Sequence, residues 1–395
     1  MYEALIDSGL AALAAFLVAS AAMPLVKRFA MAVRAVDYPG GRRRQAEATP
    51  RLGGVAAVLG LAVGGGVILV LRWSALQNEL TRLQLLVIPL ALFLIFICGV
   101  LEDTVGLATI TRFLLQGAAA LLVIQVNWSF GAVYLPIVGN VELGVFTVLV
   151  SLVWIVGVTN AVNLLDGLDG LAGGVVAIIS TTLLVLSIWR QDFVTVLVMG
   201  AVFGACMGFL RHNWAPARIY LGDAGSLTFG FLLAIVALHS SIKAPATIAI
   251  LVPVLALGLP VIDTLLVMLF RFTQRRRGSL ATRFGRMFRA DRKHLHHLLV
   301  SLGPSRKKIV VAIYVVAASF CGLALIVAAA RSTTLGFFLI VIEVLIVFGM
   351  RQLGMHADAL RISLEKRTSV RDFLLSSVRR SRSATDNPGE LEKSA

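Results

Sequence analysis

Long apolar runs, separated by short polar stretches, fill the chain from its first residues to about position 350. A helix needs roughly 20 apolar residues to cross the hydrocarbon of a bilayer. Eleven runs read as spans: about 4–26, 53–71, 83–101, 113–126, 144–162, 171–189, 193–210, 226–240, 246–270, 309–330 and 334–350. The fourth and eighth are short for the task. None alternates apolar and polar positions over about ten residues, as strands of a membrane β-barrel do. The pattern predicts an all-α polytopic membrane protein of about 11 transmembrane helices. Residues 1–352 form its transmembrane body and 353–395 a tail. No basic region precedes the first run and no A-x-A site follows it, so it reads as a retained helix rather than a removed signal peptide. The tail ends in SVRRSRSATDNPGELEKSA, which reads as a solvated, partly disordered extension, with the part before it on the membrane surface.

Composition agrees: 58% of residues are hydrophobic and 14% charged. The net charge of +15 first suggests nucleic acid, but its distribution does not. With eleven spans and the N-terminus outside, 31 of the 36 Lys and Arg fall on inside segments. Only Arg72, Arg82, Arg190, Lys243 and Arg331 fall outside. This asymmetry fits the positive-inside rule and puts the C-terminus in the cytoplasm. Anionic lipid headgroups account for the charge, and no nucleic-acid partner is expected. Cys98, Cys206 and Cys321 stand singly inside spans, without metal-like spacing, and read as packing residues.

Five polar clusters then stand out: DYPGGRRRQAEATPRLGG (37–54), LEDTVGL (101–107), NAVNLLDGLDG (160–170), YLGDAGS (220–226) and ADRKHLHHLL (290–299). All five fall on the inside, and the outside loops hold no comparable group. This points to one composite site at the cytoplasmic membrane boundary. A transport pathway would instead place binding groups near the midplane, where Asp263 is the one ionisable residue the sequence offers away from span ends.

Asn160, Asn163 and Asp166 are spaced i, i+3, i+6, which lines them along one helical stripe. Gly167 and Gly170 then let the chain turn close to a ligand. Asp166 and Asp169 share a face if the turn stays helical. Asp223, among small residues, suits a cation beside an anion, although capping by Asp223 or Ser226 is the bland alternative. Glu102 and Asp103 follow directly on an apolar span, and adjacent carboxylates cannot both face one ligand. In a helix His294 and His297 share a face and His296 points elsewhere. With Arg292 and Lys293 they suit a diphosphate better than zinc, which lacks a third spaced ligand. Asp263 reads as a structural carboxylate more than a cavity-lining one. Hard-oxygen ligands plus cations, without a Ser-His pair or thiol centre, fit phosphoryl transfer. The rival class is a non-enzymatic transporter or assembly scaffold.

Together these motifs resemble the bacterial polyprenyl-phosphate N-acetylhexosamine-1-phosphate transferases, from about Asp37 to Leu299 and in that family's order. The HLHH form is similar to the UDP-N-acetylglucosamine branch. The resemblance implies transfer of a sugar 1-phosphate from a UDP-sugar to undecaprenyl phosphate at the cytoplasmic face of a bacterial inner membrane. UMP is released and an envelope polysaccharide begun. It implies a magnesium cofactor, with manganese as a substitute, and leaves a homodimer open. Asp223 and Asn163 then hold the metal. Asp166 and Asp169 match the nucleotide-side acidic positions, and Asp103 lies near the lipid phosphate. The segment with His294, His296 and His297 contacts the sugar diphosphate, and Asn160, Arg42, Arg43 and Arg292 bind substrate. Three positions depart from the family pattern. Glu102 replaces the first of an Asp pair, Gln45 replaces a histidine and Ala48 a proline. They point to a divergent subgroup with a different sugar as one outcome, or to lost activity through Glu102.

Overall fold

The computed structural model describes residues 1–37, 49–135, 138–242, 250–273 and 294–386, with side chains as far as Leu360 apart from 133–135 and 140. Thirteen α-helices occur among them: α1 (Tyr2–Ala32), α2 (Gly53–Glu79), α3 (Arg82–Thr104), α4 (Thr109–Gln125), α5 (Thr147–Leu164), α6 (Leu171–Arg190), α7 (Phe193–Asn213), α8 (Gly222–Ile242), α9 (Leu251–Ala256), α10 (Gly258–Thr273), α11 (Leu295–Ser301), α12 (Arg306–Ala330) and α13 (Thr333–Asp386). Two antiparallel pairs of short strands, β1 (Val36–Asp37) with β2 (Thr49–Pro50) and β3 (Ala132–Leu135) with β4 (Gly139–Glu142), close two of the connections. Among the described residues, nine helices are long and apolar enough to cross a membrane.

Those nine correspond to nine of the eleven expected spans. The fourth is the 17-residue apolar α4. The eighth, short in sequence, is a full 21-residue helix, because it starts at Gly222 rather than at 226. The ninth is broken. Pro260 has no N–H for the carbonyl of Ala256, its partner one turn earlier, and the chain splits into α9 and α10 at Leu257. The Cys321 thiol donates to the Ala256 carbonyl instead (3.6 Å). All three cysteines are buried and free, as packing residues are. At the other end of the chain, α13 runs unbroken across the expected boundary at 352–353 and stays helical to Asp386, through much of a segment read as disordered.

At the centre stands α8, buried at every position from Ala224 to Ser241. Helices α3 and α5 flank it, and α2 crosses its start. Helix α1 packs on α2 and α7 through small residues. Gly200, Gly204 and Gly208 of α7 approach the α1 backbone so closely that a Cβ at Gly204 would lie 1.9 Å from the Ala12 carbonyl. Lipid cannot drive helices together as water does, so small-residue contact is what permits such packing.

Two carboxylates buried within apolar helices need a physical account. Asp263 of α10 accepts from Arg351 of α13 (2.6 Å) and from the Leu295 N–H (3.2 Å), and pairs with His294 Nδ1 (3.1 Å). It is a structural clasp, which settles the expectation in favour of structure. Glu343 of α13 corrects the reading that Asp263 is alone away from span ends. Glu343 is fully buried, and neither of its oxygens has a hydrogen-bond partner among the described residues. Gly258, at the α9–α10 break, makes room for it: a Cβ there would lie 2.3 Å from Glu343 Oε2.

Candidate active site

One end of the bundle gathers described residues of all five polar clusters, beginning with backbone. The Gly53 and Gly54 N–H groups donate to the carbonyls of Tyr220 and Leu221 (2.8 and 2.7 Å), and the Tyr220 N–H donates to Pro50 (2.8 Å). Gly54 has no Cβ because one would fall 2.1 Å from the Gly225 nitrogen; at Gly99 one would fall 2.4 Å from the Asp223 carbonyl. Helices α2 and α3 thus press directly on the first turn of α8. Gly222 begins that turn at φ +71°, a conformation that glycine takes without steric cost.

The cap of α8 comes from another helix. Asp103 of α3 accepts from the Asp223 N–H through Oδ1 (3.0 Å) and from the Ala224 N–H through Oδ2 (2.9 Å). Its negative charge complements the positive end of the α8 dipole. Capping by Asp223 or Ser226 themselves, the alternative to a cation site, is not what the first turn shows. Instead Asp223 is left to face Asn163 and Arg112. Asn163 Nδ2 donates to Asp223 Oδ1 (2.7 Å) and to Ser226 Oγ (2.8 Å), and Ser226 donates to the Gly222 carbonyl (2.8 Å).

Arg112, at the start of α4, was counted only as an inside positive charge. Its Nη1 lies 3.6 Å from Asp223 Oδ2 and 3.8 Å from Glu102 Oε1, and its buried Nε has no partner among the described residues. The available signal was its position nine residues after Asp103, on the next helix. Glu102 points away from Asp103, as adjacent residues on a helix must, and accepts from the Leu107 N–H through Oε2 (2.8 Å).

The stripe expected from Asn160 to Asp166 holds for its first two members. Helix α5 ends at Leu164, so Asp166 and Asp169 lie in a non-helical turn and do not share a helical face. Asp166 accepts from the Gly222 N–H and Asp169 from the Ala217 N–H (both 3.1 Å). Both aspartates staple the α5–α6 turn to the α7–α8 connection, as does Asn213, which accepts from the Gly170 N–H (2.7 Å). Burial pushes the Asp166 carboxyl up to about 7, against the pull of the Gly222 N–H, with the charges of Asp223, Asp103 and Asp169 adding to the rise.

The histidines are arranged otherwise than the shared-face expectation has it. His294 is the extended N-cap of α11 and is held by Asp263. His296 is buried with it, their rings 6.4 Å apart, while His297 is exposed. The His296 ring sits against Gly167, where a Cβ would fall 2.1 Å from Nε2. Neither ring nitrogen has a partner among the described residues, and burial pulls its pKa down to about 3, with His297 adding to the fall. His296 is thus a neutral ring on the floor of the α5–α6 turn. Arg42, Arg43, Arg292, Lys293, Gln45 and Ala48 lie outside the described residues.

Among the described residues, no three His, Cys, Asp or Glu side chains converge as a metal cage. The oxygens that do converge still fit one ion type. Both N–H groups of Asn163 are spent, so its Oδ1, without a partner among the described residues, and the Asp223 carboxylate form a hard-oxygen pair. Magnesium is usually held by one or two carboxylates, retained waters and substrate phosphate rather than by an all-protein cage. Arg112 beside this pair supplies a cation for an anionic ligand.

The family model for glycosyl transferase family 4 matches residues 85–241. "Probable undecaprenyl-phosphate N-acetylglucosaminyl 1-phosphate transferase" of Bacillus subtilis is 30% identical over 326 residues, spanning 82% of this chain and 85% of its own length. "Decaprenyl-phosphate N-acetylglucosaminephosphotransferase" of Mycolicibacterium smegmatis is 32% identical over 73% of this chain and 74% of its own. "Phospho-N-acetylmuramoyl-pentapeptide-transferase" of Caldicellulosiruptor bescii is 34% identical over 81% of this chain and 97% of its own. Matched by that family model and by relatives of this kind over most of their length, the chain belongs to the polyprenyl-phosphate N-acetylhexosamine-1-phosphate transferases, a family of membrane sugar-phosphate transferases.

Proposed function

We propose that the chain transfers an N-acetylhexosamine 1-phosphate, with N-acetylglucosamine as the sugar, from a UDP-sugar to undecaprenyl phosphate. The reaction opens synthesis of a cell-envelope polysaccharide. In this reading all eleven runs cross the bilayer, the N-terminus is outside, and the site lies at the cytoplasmic face of the inner membrane. The observation that carries the reading is the meeting of Asn163, Asp223 and Arg112 at one end of the bundle. A hard-oxygen pair beside a cation is what a metal-bound diphosphate requires. The charge asymmetry along the chain supports the orientation.

An oxygen of the lipid phosphate attacks the sugar-bearing phosphorus; the bond to the bridging oxygen breaks, and UMP leaves with that oxygen. A phosphomonoester has its second pKa near 6, so the nucleophile is largely ionised without a protein base. Bound magnesium, held by Asp223 and Asn163, supplies neutralisation of the diphosphate charge. Arg112 adds a fixed positive charge, and Glu102 holds that arginine between itself and Asp223. Asp103 acts through α8, whose first turn it fixes, and Asp166 and Asp169 hold the two connections together. The His296 ring and Gly167 offer a neutral surface beside them for the nucleotide.

The test is to incubate purified protein with undecaprenyl phosphate, magnesium and a panel of UDP-sugars. The lipid product is then identified by mass, and the sugar with it. UMP release that requires both lipid and metal is the expected result. Absence of any lipid-linked sugar phosphate across the panel refutes the reading.

A further inference from the structure

One turn below Asn163 on α5, and facing α4, lies a second amide pair. Asn160 Nδ2 donates to the Val156 carbonyl (2.8 Å) and to Gln116 Oε1 (2.6 Å). A backbone carbonyl only accepts, so the Asn160 atom facing Val156 is the nitrogen. The atom of Gln116 that meets it is therefore the oxygen. Gln116 is fully buried, and its Nε2 has no partner among the described residues. That arrangement uses both N–H groups of Asn160. What remains is Oδ1, on a half-buried residue, and it accepts from no group among the described residues.

Asn163 is in the same condition one turn away, with both N–H groups spent on Asp223 and Ser226. The two asparagines therefore offer the same group, a carbonyl oxygen, about 4.5 Å apart along the helix axis at 1.5 Å per residue. An acceptor of this kind suits neither a phosphate oxygen nor any other anion. It suits a cation or a water bound to one, and a magnesium ion retains several such waters. On α4, Gln116 lies one turn from Arg112, so one face of that helix touches both Asp223 and Asn160.

We propose that Gln116 is a positioning residue for the divalent-cation site. It locks the Asn160 amide so that Oδ1 takes a hydrogen bond from a water of the ion held by Asn163 and Asp223. The inference rests on the metal assignment made above. It also assigns Asn160 a different chemistry from direct binding of substrate phosphate.

Binding of Mn2+ alone to the detergent-purified full chain, followed by loss of the free-ion paramagnetic resonance signal, tests it without any substrate. Outer-sphere partners of metal sites typically contribute 10- to 100-fold in affinity, so Gln116→Leu should raise the Mn2+ Kd by about tenfold or more. Gln116→Glu keeps an acceptor toward Asn160 and should bind within about threefold of wild type. Asn160→Ala should weaken binding as Gln116→Leu does. Because the two act as one unit, the double variant should be no weaker than Asn160→Ala alone. Wild-type Mn2+ affinity in Gln116→Leu overturns the proposal. So does an equal loss of affinity and thermal stability in Gln116→Leu and Gln116→Glu, which marks Gln116 as packing only. Wild-type protein that binds Mn2+ yet releases no UMP would refute the transferase reading and leave this one standing.

Discussion

Gly99→Ala tests whether backbone contact between α3 and α8 sets the position of Asp223. The added Cβ would fall 2.4 Å from the Asp223 carbonyl oxygen, 2.5 Å from Ala224 Cα and 2.6 Å from Ala224 N. Ordinary contact starts near 3.4 Å, and all three neighbours are main chain, so no side chain can swing aside. The helices must part by about 1 Å, and overpacking of this kind costs roughly 1–3 kcal/mol. The displacement acts on chemistry as well. Asp103, one turn beyond Gly99, holds the Asp223 and Ala224 N–H groups at 3.0 and 2.9 Å. Those bonds weaken as the helices separate, and a shift of about 1 Å in a reacting constellation costs roughly 100-fold in rate. The control is Gly117→Ala in α4, where a Cβ meets nothing within 4 Å. That change should be neutral or stabilise by roughly 0.5–1 kcal/mol. Thermal unfolding in detergent and the rate of UMP release read both effects. Wild-type Tm and kcat in Gly99→Ala, or an equal fall in Gly117→Ala, would refute the reasoning.

Asp223→Asn removes the carboxylate beside Asn163 and should abolish magnesium-dependent UMP release; normal turnover would sink the metal assignment. The Asp166 carboxyl holds its proton up to about 7 in the folded protein, against 3.8 as its ordinary value. Its contribution to stability is therefore full below about 4 and is lost as pH rises through about 7. Metal-free Asp166→Asn should be more stable than wild type at pH 8 and equal to it near pH 4, and parallel Tm–pH curves would contradict this. Asp263→Ala strands Arg351 in the bundle and should destabilise by roughly 3–5 kcal/mol, read as a large fall in Tm. Glu343→Leu removes a buried carboxyl with no partner and should raise Tm, since such a group costs about 1–3 kcal/mol; a lower Tm would show that Glu343 has a hidden partner.

Apolar run length was enough to place nine helices long enough to span, because a run of twenty such residues has few alternatives to a long apolar helix. It could not place the break at Leu257, since Pro260 within a long apolar run is compatible with a kinked helix or with two helices. Charge asymmetry and cluster position are enough to bring Glu102, Asn163, Asp166 and Asp223 to one face. What each carboxylate does there was not legible. Asp103 and Asp223 are alike in sequence, yet Asp103 spends both oxygens on backbone N–H groups 120 and 121 positions away. Arg112 was hidden because one arginine after a span is ordinary. Glu343 was passed over because it lies in the last apolar run, where one carboxylate barely lowers hydropathy. His294 and His296 separate only through contacts with Asp263 and Gly167, on elements distant in the chain.

The cap that Asp103 places on α8 also orders the birth of the protein. Helix α3 leaves the ribosome long before α8, and the first turn of α8 lacks its cap until the two meet in the bilayer. A nascent or truncated chain without that meeting holds Asp223 on an unfinished helix end. The site therefore comes into being only with the assembled bundle, and a half-inserted chain holds its parts without the arrangement.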